Sequence, residues 1–403
     1  MECYSKPNEI NNQTIRCNMK NYDIVVIGAG ISGSVLAQQY AEIGKKVLII
    51  EKRNHIAGNC FDYVDDNGIL VSKYGAHLFH TNEEDVWEYV NKYSEWYPWE
   101  HKVIAKVDDK LVPIPVNITT VNELFGTNIQ NESEMKEWLE TNRVPYDKPQ
   151  NGREAVLNKV GNELYEKMFR HYTKKQWDKY PEELHASVLE RIPVRTNFDD
   201  RYFSDKYQAL PKGGYTQMFA KIIDHPNIEV ALNTDYFDIK EEIQGYEKLF
   251  YTGPIDRFFD FKHSLTEKLE YRSINFVSAT VDTPYFQENS VVNYPGTEVD
   301  FTRIVEYKHF GNQQSEKTTI VTEYTVDDGE PYYPVPNTRN QEIYDQYKQE
   351  ADKLSDVYFV GRLANYKYFN MDQAFKNAID LFHSLEQESM VKNNLELTEN
   401  ERI

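Results

Sequence analysis

The stretch YDIVVIGAGISGSVLAQQYAEIGKKVLIIEKRN, residues Tyr22–Asn54, decides the fold class. It opens with an apolar run, Ile24–Ile27, of the kind that forms a strand buried on both faces of a parallel sheet. A G-x-G-x-x-G turn, a helical segment and a second apolar run, Val47–Ile50, follow, and that run ends at Glu51. The glycine pattern is weak evidence alone, but here it has the strand–turn–helix–strand context that its mechanism requires. The stretch therefore predicts a Rossmann-like dinucleotide-binding unit.

The residues after Glu51 indicate which dinucleotide binds. The string EKRNHIAGN resembles the E-x-R-x-x-x-G-G pattern of flavoproteins related to amine oxidases, with Ala57 in place of the first glycine of the pair. The string FVGR…MDQAF (Phe359–Phe375) resembles the last FAD-binding turn of such proteins. Both features favour FAD over NAD. The predicted cofactor-binding residues are Gly28, Gly30, Gly33, Glu51, Lys52, Arg53, Asn59, Gly361, Arg362 and Met371.

Composition excludes several classes of function. The 403 residues carry a formal net charge of −20, which argues against a nucleic-acid or anionic-membrane partner. Three cysteines without a CxxC pair indicate neither a disulfide framework nor a thiol redox centre, and they fit a reducing cytoplasm. No metal-binding residues are predicted. The sequence has no run of 18 apolar residues and no signal-peptide pattern at its start, so membrane insertion is not expected.

Changes of periodicity along the chain predict an α/β protein whose FAD-binding domain is assembled from discontinuous segments. Residues 21–80, 203–262 and 354–390 form that domain. An inserted helical domain with a mobile substrate loop takes 81–100 and 118–202. An antiparallel β-sheet domain takes 101–117, which contain a hairpin turning at Asp108–Asp109, and 263–335. Residues 1–20 are predicted to be a disordered extension, and 391–403 a frayed end.

Three further features suggest a substrate site. His77 and His80 follow the first sheet segment, although a histidine there is as often a structural residue. The segment from Tyr172 to Arg195 combines aromatic residues with arginines, which suits either a lid over a phosphate or a solvated surface loop. Arg303 lies in a predicted strand, where an inward-facing guanidinium would need an anion.

Many strings of this sequence, in one order, resemble the bacterial UDP-galactopyranose mutase family. They run from Tyr22 to beyond Phe375 and include KYGAHLFHTN, YTKKQW, RIPVR, YFSDKYQALPKGGYT, YTGPID, TRIVEYKHF, EPYYPV and GRLANYKY. The resemblance implies an isomerase that interconverts UDP-galactopyranose and UDP-galactofuranose without net redox change. Reduced FAD would attack the anomeric carbon through N5 and form a flavin–sugar iminium intermediate.

The resemblance also implies roles for individual residues. Arg191 and Arg303 would hold the diphosphate, Tyr333 and Tyr368 would donate hydrogen bonds to it, and Arg362 would bind the FAD pyrophosphate. Tyr172 would stack on uracil with Tyr202 near the nucleotide, Trp177 would lie on the mobile loop near the sugar, and His77 would lie beside the flavin. Asn293 and Asn370 complete the predicted substrate site. Two positions depart from the family pattern: Asn370 stands where Asp is expected, and Asp178 where Gly is usual.

The sequence leaves alternatives open. A mutase for UDP-N-acetylgalactopyranose has the same requirements, and an FAD-dependent oxidoreductase would share the cofactor domain. A non-catalytic flavin or nucleotide-sugar binding protein would be expected to lose some of Arg191, Arg303, Tyr333 and Tyr368, all of which are present. The predicted partners are a UDP-sugar, a reductant that is NAD(P)H or a reductase, and a second copy of the chain in a homodimer.

Overall fold

The structure, a computed structural model, describes residues 22–259 and 267–400, the last nine of them by backbone alone. The predicted N-terminal extension lies outside these residues. A five-stranded parallel sheet forms the centre, and its strands in spatial order are Ile228–Ala231, Val47–Ile50, Ile24–Ile27, Lys248–Tyr251 and Val357–Phe359. The predicted Rossmann-like α/β fold is confirmed, with its sheet assembled from separated segments.

The glycine turn fixes how the first helix, Ile31–Glu42, sits on this sheet. Gly28 adopts φ +105°, a conformation that side chains rarely take. A Cβ at Gly33 would stand 2.0 Å from the carbonyl oxygen of Gly28, so only glycine lets the helix approach the strand this closely. At Gly30 the nearest atom to an added Cβ would be 3.7 Å away, so protein packing does not require glycine there.

A seven-stranded sheet forms the second layer. Its strands in spatial order are Tyr333–Pro334, Tyr271–Val281, Thr318–Val326, Arg303–Glu306, Val291–Asn293, Val103–Val107 and Lys110–Ile114. Neighbours pair antiparallel except Val291–Asn293 with Val103–Val107, which pair in parallel. The last two strands form the predicted hairpin, and both Asp108 and Asp109 have positive φ, as a tight two-residue hairpin turn requires.

Smaller elements surround the two sheets. The other strands are Asp62–Val64 with Leu70–Ser72, and Phe79–Thr81 and Trp96–Pro98 on either side of Tyr207–Pro211. The inserted helices are Ile118–Phe125, Glu132–Asn142, Gly152–Leu164, a π-helical turn Tyr165–Arg170, His171–Trp177 and Ser187–Glu190. The other helices are Glu84–Asn91, Tyr215–Ile222, Tyr236–Ile239, Ile255–Phe258, Thr338–Ala351 and Met371–Asn400, with 3-10 turns at Gly58–Cys60, Pro181–Glu183, Lys240–Glu242 and Tyr307–His309.

Residues 81–100 differ from the prediction that they belong to the helical domain. Helix Glu84–Asn91 buries Val86 and Val90 in the core of the parallel sheet, and strand Trp96–Pro98 pairs with Tyr207–Pro211. Helical periodicity indicates that one face of a helix is buried, but it does not say which core that face meets. The assignment of this segment therefore changes to the cofactor-binding domain.

The closing helix, Met371–Asn400, continues ten residues past the predicted boundary at 390, into the segment predicted to fray. This helix contains no glycine or proline, the two residues that most readily end a helix. Residues 401–403 lie outside the described part of the chain. No helix of residues 22–259 or 267–400 combines the length and the apolar character needed to cross a bilayer.

We expect Gly33→Ala to lower the free energy of unfolding by about 1–3 kcal/mol, because the new methyl group would push the helix off the Gly28 carbonyl. Thermal unfolding of the flavin-free protein measures this. Gly30→Ala is the matched control, because its methyl group would make only an ordinary contact with Gly58 Cα at 3.7 Å, and its melting temperature should stay near that of the wild type. Equal melting temperatures for both variants would contradict the packing argument.

Candidate active site

A cleft of about 1230 Å³ lies at the carboxyl ends of the parallel strands, where ligands bind in folds of this type. Its walls include the first glycine turn, the turn Thr252–Pro254 that follows the fourth strand, and the turn at Gly361–Arg362 that follows the fifth. The first helix begins at Gly30 without a side-chain cap, so free N–H groups of its first turn border the cleft. An anionic group would be stabilised there.

Glu51 lies at one end of the cleft, buried at the end of the second strand. One carboxylate oxygen accepts the N–H of Ala29 at 2.9 Å and the other accepts the N–H of Arg53 at 2.9 Å. Each carboxylate oxygen can accept a second hydrogen bond. The carboxylate is therefore held in place with acceptor capacity left for ribose hydroxyls.

The side chains next to Glu51 form a charged wall. Arg53 donates to the side-chain oxygen of Asn59 at 3.0 Å and lies over the ring of Tyr74, 4.4 Å from its centroid. Lys52 pairs with Glu330 at 2.7 Å. Sequence reasoning missed Glu330, which reaches this cleft from the loop before strand Tyr333–Pro334.

The last turn supplies Arg362. Gly361 has φ +95°, and a Cβ there would lie 2.8 Å from the hydroxyl oxygen of Ser32, so this turn packs directly on the first helix. Arg362 donates from Nε to the carbonyl of Phe369 at 3.1 Å, and Nη2 donates to the same oxygen. Within the described residues no carboxylate pairs with Arg362, so most of its donors remain available for an anion.

Beyond Arg362 the cleft ends in a cluster of tyrosines and arginines. The rings of Tyr333 and Tyr368 stack with centroids 5.3 Å apart and planes at 16°. Arg191 lies 4.3 Å from the centroid of Tyr368, and Arg362 lies 5.2 and 5.3 Å from the two rings. Trp177 contacts both rings, with centroids 6.5 and 6.1 Å away.

Arg303 joins this cluster from the seven-stranded sheet. Its Nε donates to Glu323, which is 1% exposed, at 2.6 Å. The other oxygen of Glu323 is buried without a partner among the described residues, as is the amide oxygen of Asn293, which stands opposite Arg303 in the strand register. Unpaired buried acceptors are costly, so a ligand that donates hydrogen bonds would be favoured here.

The electrostatics of the cluster favour a bound anion. Burial alone would raise the pKa of Tyr368, but the positive charges of Arg191 and Arg362 outweigh it and lower that pKa. Burial, with the neighbouring Tyr368, raises the pKa of Tyr333 to about 12. Burial, with the charges of Arg362 and Arg303, lowers the pKa of His77 to about 4, so its imidazole is neutral at physiological pH.

The structure brings together most of the residues predicted from sequence. Tyr172 and Tyr202 are electrostatic neighbours of Arg303, while Asn370 and Met371 line the cleft. His80 and Arg195 have other partners: Nδ1 of His80 lies 2.9 Å from a carboxylate oxygen of Asp205, and Arg195 forms an ion pair with Asp199. Glu323 was missed because nothing local to its strand distinguishes it.

Trp177 differs from its predicted place on the loop, since it is the last residue of helix His171–Trp177 and is 4% exposed. The helix ends there because Asp178 adopts φ +52°, the left-handed conformation that glycine favours. Ala57, the other position where glycine is usual, has φ +70°. Both residues that stand where glycine is usual, Ala57 and Asp178, thus occupy positions with positive φ.

Comparisons with known proteins agree with this arrangement. Residues 167–368 match the family model described as UDP-galactopyranose mutase, and residues 26–93 match an NAD(P)-binding Rossmann-like domain. A probable UDP-galactopyranose mutase of Klebsiella pneumoniae is 38% identical over 92% of this chain and 98% of its own length. A dTDP-fucopyranose mutase of Escherichia coli is 37% identical over 89% of this chain and 96% of its own.

Among solved structures, a crystal structure of reduced UDP-galactopyranose mutase superimposes with a TM-score of 0.72 at 18% identity, covering 91% of this chain and 96% of that one. A putative protoporphyrinogen oxidase superimposes with a TM-score of 0.64 at 14% identity, covering 91% of this chain and 98% of its own. At these identities the likeness concerns the fold, whereas the sequence matches extend over nearly the whole length of the relatives. The chain belongs to the UDP-galactopyranose mutase family.

Proposed function

We propose that this protein is an isomerase that interconverts UDP-galactopyranose and UDP-galactofuranose with reduced FAD as its cofactor. The observation that carries the proposal is the convergence of Arg191, Arg303 and Arg362 on the stacked rings of Tyr333 and Tyr368, at the end of a dinucleotide cleft. In a chain of net charge −20, such a local cluster of guanidinium groups suits a substrate that carries a diphosphate.

The cleft fits FAD. Gly30 is glycine where protein packing leaves room for a side chain, which is expected if a pyrophosphate approaches the backbone there. Glu51 keeps free lone pairs for a ribose, and the uncapped first helix and Arg362 are suited to the two phosphates. When bound and reduced, the flavin supplies a nucleophilic N5 for the anomeric carbon of the sugar.

The side chains of this protein stabilise the leaving group, bind the nucleotide and exclude water. As the bond from C1 to the diphosphate breaks, negative charge grows on UDP, and Arg191 and Arg303 stabilise that charge. Tyr333 and Tyr368 donate hydrogen bonds to the phosphate oxygens, and Tyr172 stacks on the uracil ring. Glu323 holds Arg303 in one orientation, and the buried indole of Trp177 keeps water from the reacting carbon.

His77 acts as a neutral hydrogen-bonding group. Its Nδ1 lies 2.9 Å from the carbonyl of Gly75, which fixes the proton on that nitrogen because a carbonyl only accepts. Nε2 is then an acceptor at the wall of the flavin cleft. A neutral ring avoids adding positive charge beside Arg362 and Arg303.

Other nucleotide sugars are close alternatives to UDP-galactopyranose as the substrate. Relatives named for UDP-galactopyranose and for dTDP-fucopyranose are almost equally similar to this chain, at 38% and 37% identity. The N-acetyl sugar remains a second competitor, and a flavin-dependent oxidoreductase a third. We favour the UDP-galactose reaction because the matching family model carries that description.

We also propose that NAD(P)H or a flavin reductase supplies the electrons, since N5 is nucleophilic only in the reduced state. A cytoplasmic site of action is supported by three cysteines without a disulfide pattern. The homodimer stays a prediction.

Anaerobic incubation with UDP-galactofuranose, with and without dithionite, tests the reaction. We expect conversion to the pyranose in the reduced sample alone, without net flavin reoxidation, by chromatography of the nucleotide sugars. dTDP-fucofuranose and the UDP-N-acetyl sugar are run in parallel. A higher kcat/KM with either would reassign the substrate, whereas stoichiometric flavin reoxidation by the sugar would support an oxidoreductase.

We expect Arg303→Ala to retain flavin and to lower kcat/KM by about 10²–10³-fold, because it removes a donor to the departing diphosphate. Flavin absorbance per protein and steady-state kinetics measure the two effects. Arg143→Ala, which removes a surface arginine paired with Glu140, should leave both unchanged. Near-normal turnover of Arg303→Ala would remove Arg303 from the site.

The pKa of His77 predicts a pH dependence of stability. Its folded-state pKa of about 4 lies below the value of 6.5 expected for an exposed histidine, so the unfolded chain binds more protons between these values. The contribution of the neutral ring is complete above about pH 6.5 and is lost as pH falls towards 4. Melting temperatures of flavin-free His77→Gln should therefore fall less steeply over this range than those of the wild type.

The exposed histidine on the closing helix provides the control, since His383→Gln should follow the wild-type curve. If the melting temperatures of the wild type and His77→Gln fell in parallel as the pH is lowered, His77 would not have the lowered pKa on which this prediction rests.

A further inference from the structure

Lys175 is a half-buried lysine that the proposed reaction does not use directly. It lies in helix His171–Trp177, and its Nζ donates to the carbonyls of Val299 at 3.3 Å, of Phe301 at 3.0 Å and of Tyr294. An ammonium has three N–H donors, so all three are taken up by backbone oxygens of one loop. Among the described residues no carboxylate forms an ion pair with Lys175, although the acidic side chains of Glu298 and Asp300 in the same loop act on its ammonium electrostatically.

The loop that Lys175 holds, residues 294–301, connects two strands of the substrate site. Strand Val291–Asn293 ends in Asn293 immediately before it, and strand Arg303–Glu306 begins with Arg303 just after it. The loop closes on itself, because the N–H of Tyr294 donates to the carbonyl of Thr302 at 2.9 Å and the rings of Tyr294 and Phe301 meet edge to face at 4.8 Å.

The helix that carries Lys175 supplies the other side of the same site. Tyr172 lies near its start and Trp177 is its last residue, and Trp177 contacts the stacked tyrosines. One side chain therefore connects the helix that bears Tyr172 and Trp177 to the hairpin that bears Asn293 and Arg303. The two elements belong to different domains, so their relative position depends on such contacts.

We propose that Lys175 is a positioning residue. Its ammonium fixes the helix of Tyr172 and Trp177 against the hairpin of Asn293 and Arg303. This contact sets the distance between the part of the substrate site that binds the base and the part that binds the diphosphate. The proposal rests on the proposed function for the identity of these two parts. A misplacement of about 1 Å at a reacting group can cost on the order of 10²-fold in rate, so loss of this contact should weaken catalysis without removing any group that touches substrate.

The test compares Lys175→Met, Lys175→Arg and Lys174→Met in the flavin-bound protein. Lys174 is the matched control, since it neighbours Lys175 on the same helix but pairs with Asp178 at the surface. Three quantities are measured: flavin per protein, the dissociation constant of UDP by isothermal titration, and kcat/KM for UDP-galactofuranose with dithionite.

We expect Lys175→Met to keep its flavin, to raise the UDP dissociation constant at least tenfold and to lower kcat/KM by about 10²-fold. Lys174→Met should stay within twofold of the wild type in all three quantities. Lys175→Arg, which keeps charge and donors, should recover a substantial part of the UDP affinity. The separation of UDP affinity from flavin content distinguishes positioning from a general loss of structure, since the flavin cleft lies at the parallel sheet.

Two results would overturn the proposal: UDP affinity and turnover of Lys175→Met within twofold of the wild type, or loss of flavin in parallel with loss of UDP affinity. If Lys175→Met does not fold, Lys175→Gln is used, and the same two results decide. Because UDP binding is measured without turnover, the proposal remains testable even if the wild type acts on another sugar. A wild type that binds UDP but does not convert UDP-galactofuranose would contradict the proposed function and leave the Lys175 test intact.

Discussion

The close approach of the first helix to the first strand is the constraint on which the active site depends. Gly33 lies so near the Gly28 carbonyl that no side chain fits between them, and Gly361 also packs closely on Ser32. These contacts bring three turns of the parallel sheet to one edge. Because the central strands are buried on both faces, they hold that edge in place, and Glu330 adds to the wall of the cleft from the loop before strand Tyr333–Pro334.

The second requirement is electrostatic. Burying guanidinium groups in an acidic protein costs free energy unless anions compensate them. Arg303 has Glu323 as a partner, whereas Arg191 and Arg362 lie against the faces of tyrosine rings and have no carboxylate partner among the described residues. Aromatic faces stabilise cations only partly. The positive charges of Arg191 and Arg362 are therefore only partly compensated by the protein, and a nucleoside diphosphate is the kind of ligand that would neutralise them.

The residues that we propose for the substrate site come from three parts of the structure. The parallel sheet provides Arg362 and Tyr368, the seven-stranded sheet provides Asn293, Arg303 and Tyr333, and the inserted helices provide Tyr172, Trp177 and Arg191. Contacts between these parts, such as those of Lys175 with loop 294–301, therefore help to set the positions of these residues relative to one another.

The sequence by itself determined the local features whose signals are short in range. The glycine turn with its flanking strands predicted the parallel sheet, and Asp108–Asp109 predicted a hairpin that the structure has. The family resemblance then indicated the arginines and tyrosines of the site. Only the tertiary structure decided that residues 81–100 pack on the cofactor domain, that Trp177 ends a helix, and that Glu323 and Glu330 belong to the site. The reason is physical, because turn conformation and helical or strand periodicity depend on residues that are neighbours in sequence. The ion pair of Arg303 with Glu323 and the hydrogen bonds of Lys175 to loop 294–301 instead join residues that only folding brings together.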